Sequence, residues 1–211
     1  MIKHIPLFLL IGFYHISIAQ EQPTKYYGPE WEEIKEEDYL DFQTKKDYLT
    51  LFYDLDTAAI GKVFQRETKG RFTKDQRDIL YSHLEKISGR IIEKNSLVII
   101  NYFPESDFLY YQGLFQEEEK YFEKYSKMLK RYRYVEQFFI AAIENNKLKI
   151  NGFDLIGDRG QFFENEFFQY YIPYGSYVIV YPSRRFVRYL GDYDFIELVD
   201  RIKKYHKKRK K

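Results

Sequence analysis

Cysteine and histidine, two side chains that often carry out catalysis, are absent or scarce in this chain. Its 211 residues include no cysteine, which excludes disulphide exchange and thiol-based peroxide reduction. Of the four histidines, His4 and His15 lie in an N-terminal apolar segment, and His83 and His206 lack the paired spacing of a zinc site. There is no Gly-x-Ser-x-Gly motif for a nucleophilic serine and no phosphate-binding loop. The sequence therefore predicts no cofactor and no bound metal.

Carboxylates offer one further possibility for chemistry. Asp154, Asp158 and Glu164 lie close together in sequence and could bind calcium, but they lack the regular ligand spacing and central glycine of an EF-hand loop. The segment 157–160, with the sequence GDRG, is more typical of a turn.

The composition restricts the class of partner. The 34 basic and 32 acidic residues leave a net charge of +2, which argues against a dedicated nucleic-acid binder. The 22 Tyr, 19 Phe and 1 Trp can close a large hydrophobic core. This aromatic excess indicates either a general bias in residue usage or a surface that stacks on sugars or peptides.

The first 19 residues resemble a secretory signal peptide. A short polar start at Lys3 and His4 precedes the apolar residues 5–14, and Ser17 and Ala19 supply small side chains for a cleavage site. Cleavage after Ala19 would release a mature chain into the periplasm or the medium. No later segment is apolar for the ~20 residues that a membrane span requires, so we expect no transmembrane segment after signal removal.

Residues 20–91 are predicted to form an acidic, mainly helical extension. The aromatic and aliphatic residues in its first half recur loosely at helical spacing. These residues are Trp31, Tyr39, Phe42, Tyr48, Leu51 and Phe52. A clearer helix follows, with Thr73 and Gln76 as a capping box and Gly89 as its stop signal.

Residues 92–207 alternate between strand and helix patterns. Short apolar runs predict strands at 96–103, 135–143 and 153–156, and a strong amphipathic pattern predicts a helix at 117–134. A short helix at 161–171 is followed by a hairpin of strands 176–181 and 186–190. Asp192 or Asp194 is expected to cap a last helix. Residues 208–211 form a basic tail, part of a segment with seven basic side chains among residues 203–211.

Two stretches carry a resemblance to a known fold. The run 97–103 (LVIINYF) resembles the first core strand of thioredoxin-like proteins, including exported thiol–disulphide proteins and relatives of peroxiredoxins. The run 177–187 (YVIVYPSRRFV), followed by Gly191 and an Asp-capped helix, resembles their closing hairpin and last helix. The resemblance implies an α/β fold with a thioredoxin-like central sheet flanked by helices over residues 92–207.

The resemblance also indicates which residues stand where the redox members have their cysteine pair. Aligned by spacing, Asp107 and Tyr110 stand near the two cysteines of the redox members, and neither residue can form a disulphide. Pro173 lies two residues too early for the family's cis-proline, and Gly175 falls nearer to that position. Ser106 or Asp107 would then cap a helix, or Asp107 would take part in some other chemistry.

These features predict a redox-inactive, non-catalytic thioredoxin-like protein of the bacterial envelope with a binding or structural role. Its partner would be a protein or another envelope component. One alternative is a non-thiol enzyme that uses the vacated position around Asp107. Another is attachment to an anionic surface through the basic C-terminal tail, which we expect to be weak.

Overall fold

A computed structural model of the chain describes residues 24–55, 58–104, 124–125, 127–143, 147–150, 153–158 and 160–209. The fold is mixed α/β, with two mixed β-sheets. Asp107, Tyr110 and most of the predicted helix at 117–134 lie outside the described residues, although residues 124–125 and 127–129 are helical as predicted.

The N-terminal region forms the smaller sheet. Its elements are β1 (Thr24–Tyr27), β2 (Glu33–Ile34), α1 (Glu36–Gln43), β3 (Tyr48–Leu55) and β4 (Ala58–Gln65). The strand order is β2-β1-β4-β3, in which β1 runs parallel to β4 and the other pairs are antiparallel.

The prediction of a mainly helical extension is wrong for this region. Along β3, Leu49, Leu51 and Tyr53 pack against the core, whereas Phe52 is 55% exposed. Alternate residues therefore face opposite sides, which is the period of a strand. Of the residues at helical spacing, Tyr39 and Phe42 do lie on the short helix α1. Tyr48, Leu51 and Phe52 lie on β3, and Trp31 lies in the turn before β2.

The larger sheet contains seven strands. Its elements and the helices between them are β5 (Glu67–Arg71), α2 (Lys74–Ser88), β6 (Leu97–Phe103), β7 (Val135–Ala141), β8 (Lys147–Ile150), β9 (Phe153–Gly157), α3 (Phe162–Phe167), β10 (Ser176–Val180), β11 (Arg185–Leu190) and α4 (Phe195–Arg209). The strand order is β5-β11-β10-β6-β7-β9-β8.

The centre of this sheet agrees with the predicted strands. β6, β7 and β9 are parallel, while β10 is antiparallel to β6 and forms an antiparallel hairpin with β11. Ile99 lies opposite Gln137 of β7 on one side and Ile179 of β10 on the other. All seven residues of β6 are buried, as the continuous apolar run predicts for a central strand.

Each face of the large sheet has its own hydrophobic core. On one face, Val98, Ile100 and Tyr102 pack with α2, α3 and the β3–β4 hairpin. On the other face, Leu97 and Ile99 pack with α4 and with the helical residues near Tyr125 and Leu129. The alternation along β6 thus directs successive side chains into two different cores.

The signals at the helix ends are confirmed. Thr73 Oγ1 accepts a hydrogen bond from the Gln76 N–H, and Gln76 Oε1 accepts one from the Thr73 N–H, which completes the capping box of α2. Gly89 ends α2 in a left-handed conformation with φ of 71°. Asp194 is the residue that caps α4, since its Oδ1 accepts the Ile196 N–H at 2.7 Å.

Two elements extend across the predicted boundaries. β5, which falls within the predicted extension, pairs with β11 along residues Glu67 to Arg71 and completes one edge of the large sheet. α4 continues through Arg209, so part of the predicted basic tail is helical. Among the residues described here, none of the helices combines the length and apolar character needed to cross a membrane.

Candidate functional site

The parallel strands end together at one edge of the large sheet. The Ala142 N–H donates to the Phe103 carbonyl at 3.0 Å, and the Asp158 N–H donates to the Ala141 carbonyl at 2.8 Å. These bonds join the carboxyl ends of β6, β7 and β9. Ligands of open α/β sheets bind at this edge, which makes it a candidate functional site.

The predicted site residues that the structure describes lie near this edge. Gly175 is buried with φ of 77° and directly precedes β10, whose first residue, Ser176, pairs with Tyr102 of β6. Pro173 is half-buried, and its peptide bond is trans, since none of the described peptide bonds is cis. Asp107 and Tyr110 lie outside the described residues, so only this half of the predicted constellation can be located.

Asp158, directly after β9, is a buried carboxylate at the same edge. It is 5% exposed, and its Oδ2 accepts the N–H groups of Phe163 at 3.0 Å and Glu164 at 3.1 Å. These bonds satisfy two donors at the start of α3. The other oxygen, Oδ1, is buried and has no hydrogen-bond partner among the described residues. The hydrogen bonds to the start of α3 therefore give a partner to only one of the two buried carboxylate oxygens of Asp158.

His83 on α2 is a half-buried residue that also has an unpaired buried atom. Its ring stacks on Phe162 at a centroid distance of 4.2 Å and lies edge-on to Phe163 at 5.5 Å. Its Nε2 is buried without a hydrogen-bond partner in the described part of the chain. Unpaired buried polar atoms are uncommon in folded proteins and call for an explanation.

The pKa values of His83, Asp158 and Tyr102 are shifted by burial and by the charges of neighbouring residues. Burial lowers the pKa of His83, although the Asp158 carboxylate opposes this shift. Burial raises the pKa of Asp158, although the N–H groups of Glu164 and Phe163 and the His83 ring oppose it. Burial also raises the pKa of Tyr102, and the carboxylates of Glu164 and Asp158 raise it further.

The three groups are thus all shifted toward their neutral forms. Tyr102 is 4% exposed and stacks on Phe168 at 4.5 Å, so aromatic rings surround the cluster as well. The Nε2 of His83 and the Oδ1 of Asp158, which have no partner among the described residues, are in a position to accept a hydrogen bond from a neutral polar ligand or to donate one to it. We call these three residues the edge cluster.

An open cleft of 610 Å³ reaches part of the edge cluster. His83 and Phe162 line it, together with the exposed side of α2. The α2 residues that line it are Asp75, Asp78, Ile79, Ser82 and Lys86. The cleft therefore gives a ligand access to the stacked rings of His83 and Phe162.

A metal centre is not evident within the described ranges, where no three His, Asp or Glu side chains converge. The calcium possibility at Asp154, Asp158 and Glu164 is weakened further because the Glu164 N–H, together with that of Phe163, occupies the Asp158 Oδ2.

Sequence reasoning considered His83 only as a histidine without the paired spacing of a zinc site, and Asp158 only as a possible calcium ligand or part of a turn. The two residues come together through folding, because α2 and α3 cover the same face of the sheet. No signal of spacing could reveal the pair, since a long stretch of chain separates the two positions. No protein-family model, no curated protein and no solved structure matches this chain.

Proposed function

We propose that this chain is a thioredoxin-like protein without redox activity that acts as a binding module. The observation that carries the proposal is a sheet arrangement in a chain without cysteine. Four central strands follow the order β7-β6-β10-β11, with β6 and β7 parallel and the remaining pairs antiparallel. This is the order in which a thioredoxin-like core joins its βαβ unit to its closing hairpin.

The distribution of helices supports the same proposal. The helical residues around Tyr125 and the helix α4 cover one face of the sheet, and α3 covers the other. A thioredoxin-like core distributes its corresponding three helices in this way. The additional elements lie at the periphery: β8 and β9 extend one edge, β5 extends the other, and the smaller sheet packs over one face.

The binding role is supported by the polar edge of the sheet. The redox members use this edge for a cysteine pair, and this chain contains no cysteine. At this edge, the edge cluster instead has buried polar atoms without partners among the described residues, and a cleft opens beside the cluster. Groups of this kind are suited to holding a ligand.

The test is to rebuild the redox site. The double variant Asp107→Cys and Tyr110→Cys should form a reversible disulphide and catalyse the reduction of insulin disulphides by dithiothreitol. The matched control is Glu37→Cys with Leu40→Cys, which has the same spacing at the exposed start of α1. If the two double variants are equally slow, the thioredoxin-like assignment is wrong.

We also propose that the chain is exported to the bacterial envelope. The proposal rests on the three-part pattern of residues 1–19. N-terminal sequencing of the protein recovered from a periplasmic extract should begin at Gln20. Leu9→Arg interrupts the apolar run and should retain the protein in the cytoplasm, whereas Leu55→Arg, at an exposed position of β3, should not. Equal export of both variants would contradict the proposal.

Attachment to an anionic surface is a second candidate function. Lys204, Lys207 and Lys208 are exposed on α4, whereas Lys203 is engaged by Asp200 at 2.6 Å. At helical spacing the three exposed lysines share one side of the helix. Each would contribute about 1 kcal/mol near an anionic membrane at physiological salt.

The triple variant with Gln at positions 204, 207 and 208 tests this candidate function. It should lose binding to vesicles that contain phosphatidylserine, and neither form of the protein should bind vesicles of phosphatidylcholine. Unchanged binding of the triple variant would exclude the lysines from this role.

A further inference from the structure

Trp31 presents an exposed ring on an unusual backbone. It is the only tryptophan in the chain and is 49% exposed. Its φ of 68° lies in the left-handed region, which a bulky side chain rarely adopts. The turn that holds it is closed by two hydrogen bonds, from the Gly28 N–H to the Glu32 carbonyl at 2.9 Å and from the Trp31 N–H to the Gly28 carbonyl at 3.1 Å.

Three neighbouring rings form a cluster that we call the aromatic platform, in which the Trp31 ring is tilted by 52° to that of Tyr27 and by 45° to that of Tyr170. The platform consists of Tyr27, Trp31 and Tyr170. The ring centroid of Trp31 is 5.8 Å from that of Tyr27 and 5.6 Å from that of Tyr170. Tyr170 is 40% exposed and rests on the buried ring of Phe64 at 5.1 Å. The platform thus joins the turn before β2 to the segment that follows α3.

A buried lysine supports the platform from below. Lys62 of β4 is 1% exposed, and its Nζ lies 4.4 Å from the centroid of the Trp31 ring. The same ammonium group donates to the carbonyl of Gly28 and, at 3.2 Å, to that of Pro29. These contacts fix the turn and the ring together, so little conformational freedom remains to be lost when a ligand binds.

The charges around the platform define the ligand class. The carboxylates of Glu30 and Glu32 flank Trp31 in the sequence and are exposed, so an anionic ligand would be repelled. The Lys62 ammonium occupies the inner side of the Trp31 ring and also interacts with the Glu32 and Glu30 carboxylates, so it already compensates much of the attraction that a second cation would experience. Arg188, which interacts with Tyr170, has its guanidinium held by Thr68 Oγ1 and the Phe167 carbonyl. Of the three charge classes of ligand, an uncharged ligand therefore fits these surroundings best.

From this geometry we infer that the aromatic platform binds a neutral saccharide. The apolar C–H face of a sugar ring covers an aromatic ring, and sugar hydroxyl groups donate to oxygen atoms at the rim. Glu30, which precedes Trp31 in the sequence, has an exposed carboxylate, and the exposed Tyr170 of the platform has a hydroxyl group. This inference rests on the proposed binding role and is independent of the thioredoxin-like assignment.

Because Trp31 is the only tryptophan, its fluorescence reports directly on the platform. The purified full chain is titrated with cellohexaose, mannohexaose and N-acetylchitohexaose. At least one of them should shift the emission to shorter wavelength and protect Trp31 from quenching by acrylamide. Tri-galacturonate and hexa-lysine serve as the anionic and cationic probes, and both should bind more weakly than the neutral sugar.

Variants locate the binding surface, with affinity measured by calorimetry. Trp31→Gly removes the ring and introduces a residue that accepts the positive φ, so the fold should be preserved. Trp31→Gly and Tyr170→Ala should each weaken binding about tenfold or more, as expected for aromatic anchors. The matched control is Phe52→Ala, which removes an equally exposed ring on β3 and should leave affinity unchanged.

Three results would overturn the inference. None of the neutral sugars changes the fluorescence of Trp31, or a charged probe binds more tightly than all of them, or Phe52→Ala weakens binding as much as Trp31→Gly. None of these results bears on the rebuilt cysteine pair, so failure of sugar binding and failure of the thioredoxin-like assignment can be told apart.

Discussion

The hydroxyl group of Tyr193 donates to Asn101 Oδ1 at 2.8 Å, across the interior between the start of α4 and the central strand β6. Asn101 is fully buried, and its Nδ2 donates to the Phe138 carbonyl of β7 at 3.2 Å. The side chain thus links β6, β7 and the segment before α4. A buried amide in a sheet centre is stable because its oxygen and nitrogen both have partners.

Removing the tyrosine hydroxyl should therefore destabilise the fold. Tyr193→Phe keeps the ring but leaves Asn101 Oδ1 without this donor, and we expect a loss of about 1–3 kcal/mol in the free energy of unfolding. Urea denaturation measures the change. Tyr48→Phe is the control, because that ring is half-buried and its hydroxyl has no hydrogen bond within the described residues. Equal losses in the two variants would refute the special role of Asn101.

Substitutions of Asp158 should distinguish how each of its two carboxylate oxygens contributes to the stability of the fold. Asp158→Ala removes the acceptor of two N–H groups at the start of α3 and should cost about 2 kcal/mol of stability. Asp158→Asn keeps one acceptor oxygen and replaces the unpaired carboxylate oxygen with a neutral amide group. It should match or exceed the wild type at pH 7.

The sign of the pKa shift adds a pH dependence to this prediction. Because burial raises the pKa of Asp158, the folded state disfavours the ionised form, and stability is lost as pH rises above about 4. The advantage of Asp158→Asn over the wild type should therefore grow between pH 4 and pH 7 in denaturation measurements. A constant difference would mean that Asp158 ionises as easily in the folded as in the unfolded chain.

His83 should contribute a pH dependence of opposite sign. Burial lowers its pKa in the folded state, so the unfolded chain takes up a proton first as pH falls through about 6.5. Stability is then lost on acidification. His83→Phe keeps a ring against Phe162 but cannot be protonated, so the variant should lose less stability than the wild type between pH 7.5 and pH 5.5. Parallel unfolding curves would show that His83 has no such effect.

Two glycines with positive φ should respond differently to alanine. At Gly191, with φ of 81°, an added Cβ would lie 3.1 Å from both Arg66 Nη1 and Leu49 Cδ2. At Gly89, with φ of 71°, it would meet nothing within 4 Å. Gly89→Ala adds backbone strain of about 1–2 kcal/mol, and Gly191→Ala adds crowding to a similar strain. Thermal denaturation should rank Gly191→Ala as the less stable, and the reverse order would contradict the role of the contact.

Local signals predicted the central elements well. The apolar run of β6 and the capping box of α2 each determine their element from a few adjacent residues, which is why the sequence alone predicts both. The register of β5 against β11 has no such signal, since Glu67–Arg71 contains Glu, Thr, Lys, Gly and Arg and no apolar residue. Its pairing depends on backbone hydrogen bonds to a distant strand. The alternation of β3 is hard to recognise because the exposed Phe52 places an apolar side chain between Leu51 and Tyr53.

The candidate site was the hardest part to predict. Gly175 could be placed from its position before a strand, but the unpaired atoms of His83 and Asp158 become visible only when α2, β9 and α3 are packed together. The lone tryptophan was evident from composition, whereas its neighbour Tyr170 and the lysine below it come from distant segments.

The pairing of β5 with β11 has a consequence for shortened forms of the protein. A fragment beginning at residue 92 would lack β5, and β11 would become the outermost strand. The backbone groups that bond to β5 would then be open to any extended chain, including another copy of the fragment. The short polar strand thus covers the backbone groups of β11, and the edge that the intact sheet presents is the five-residue β5 rather than the longer β11.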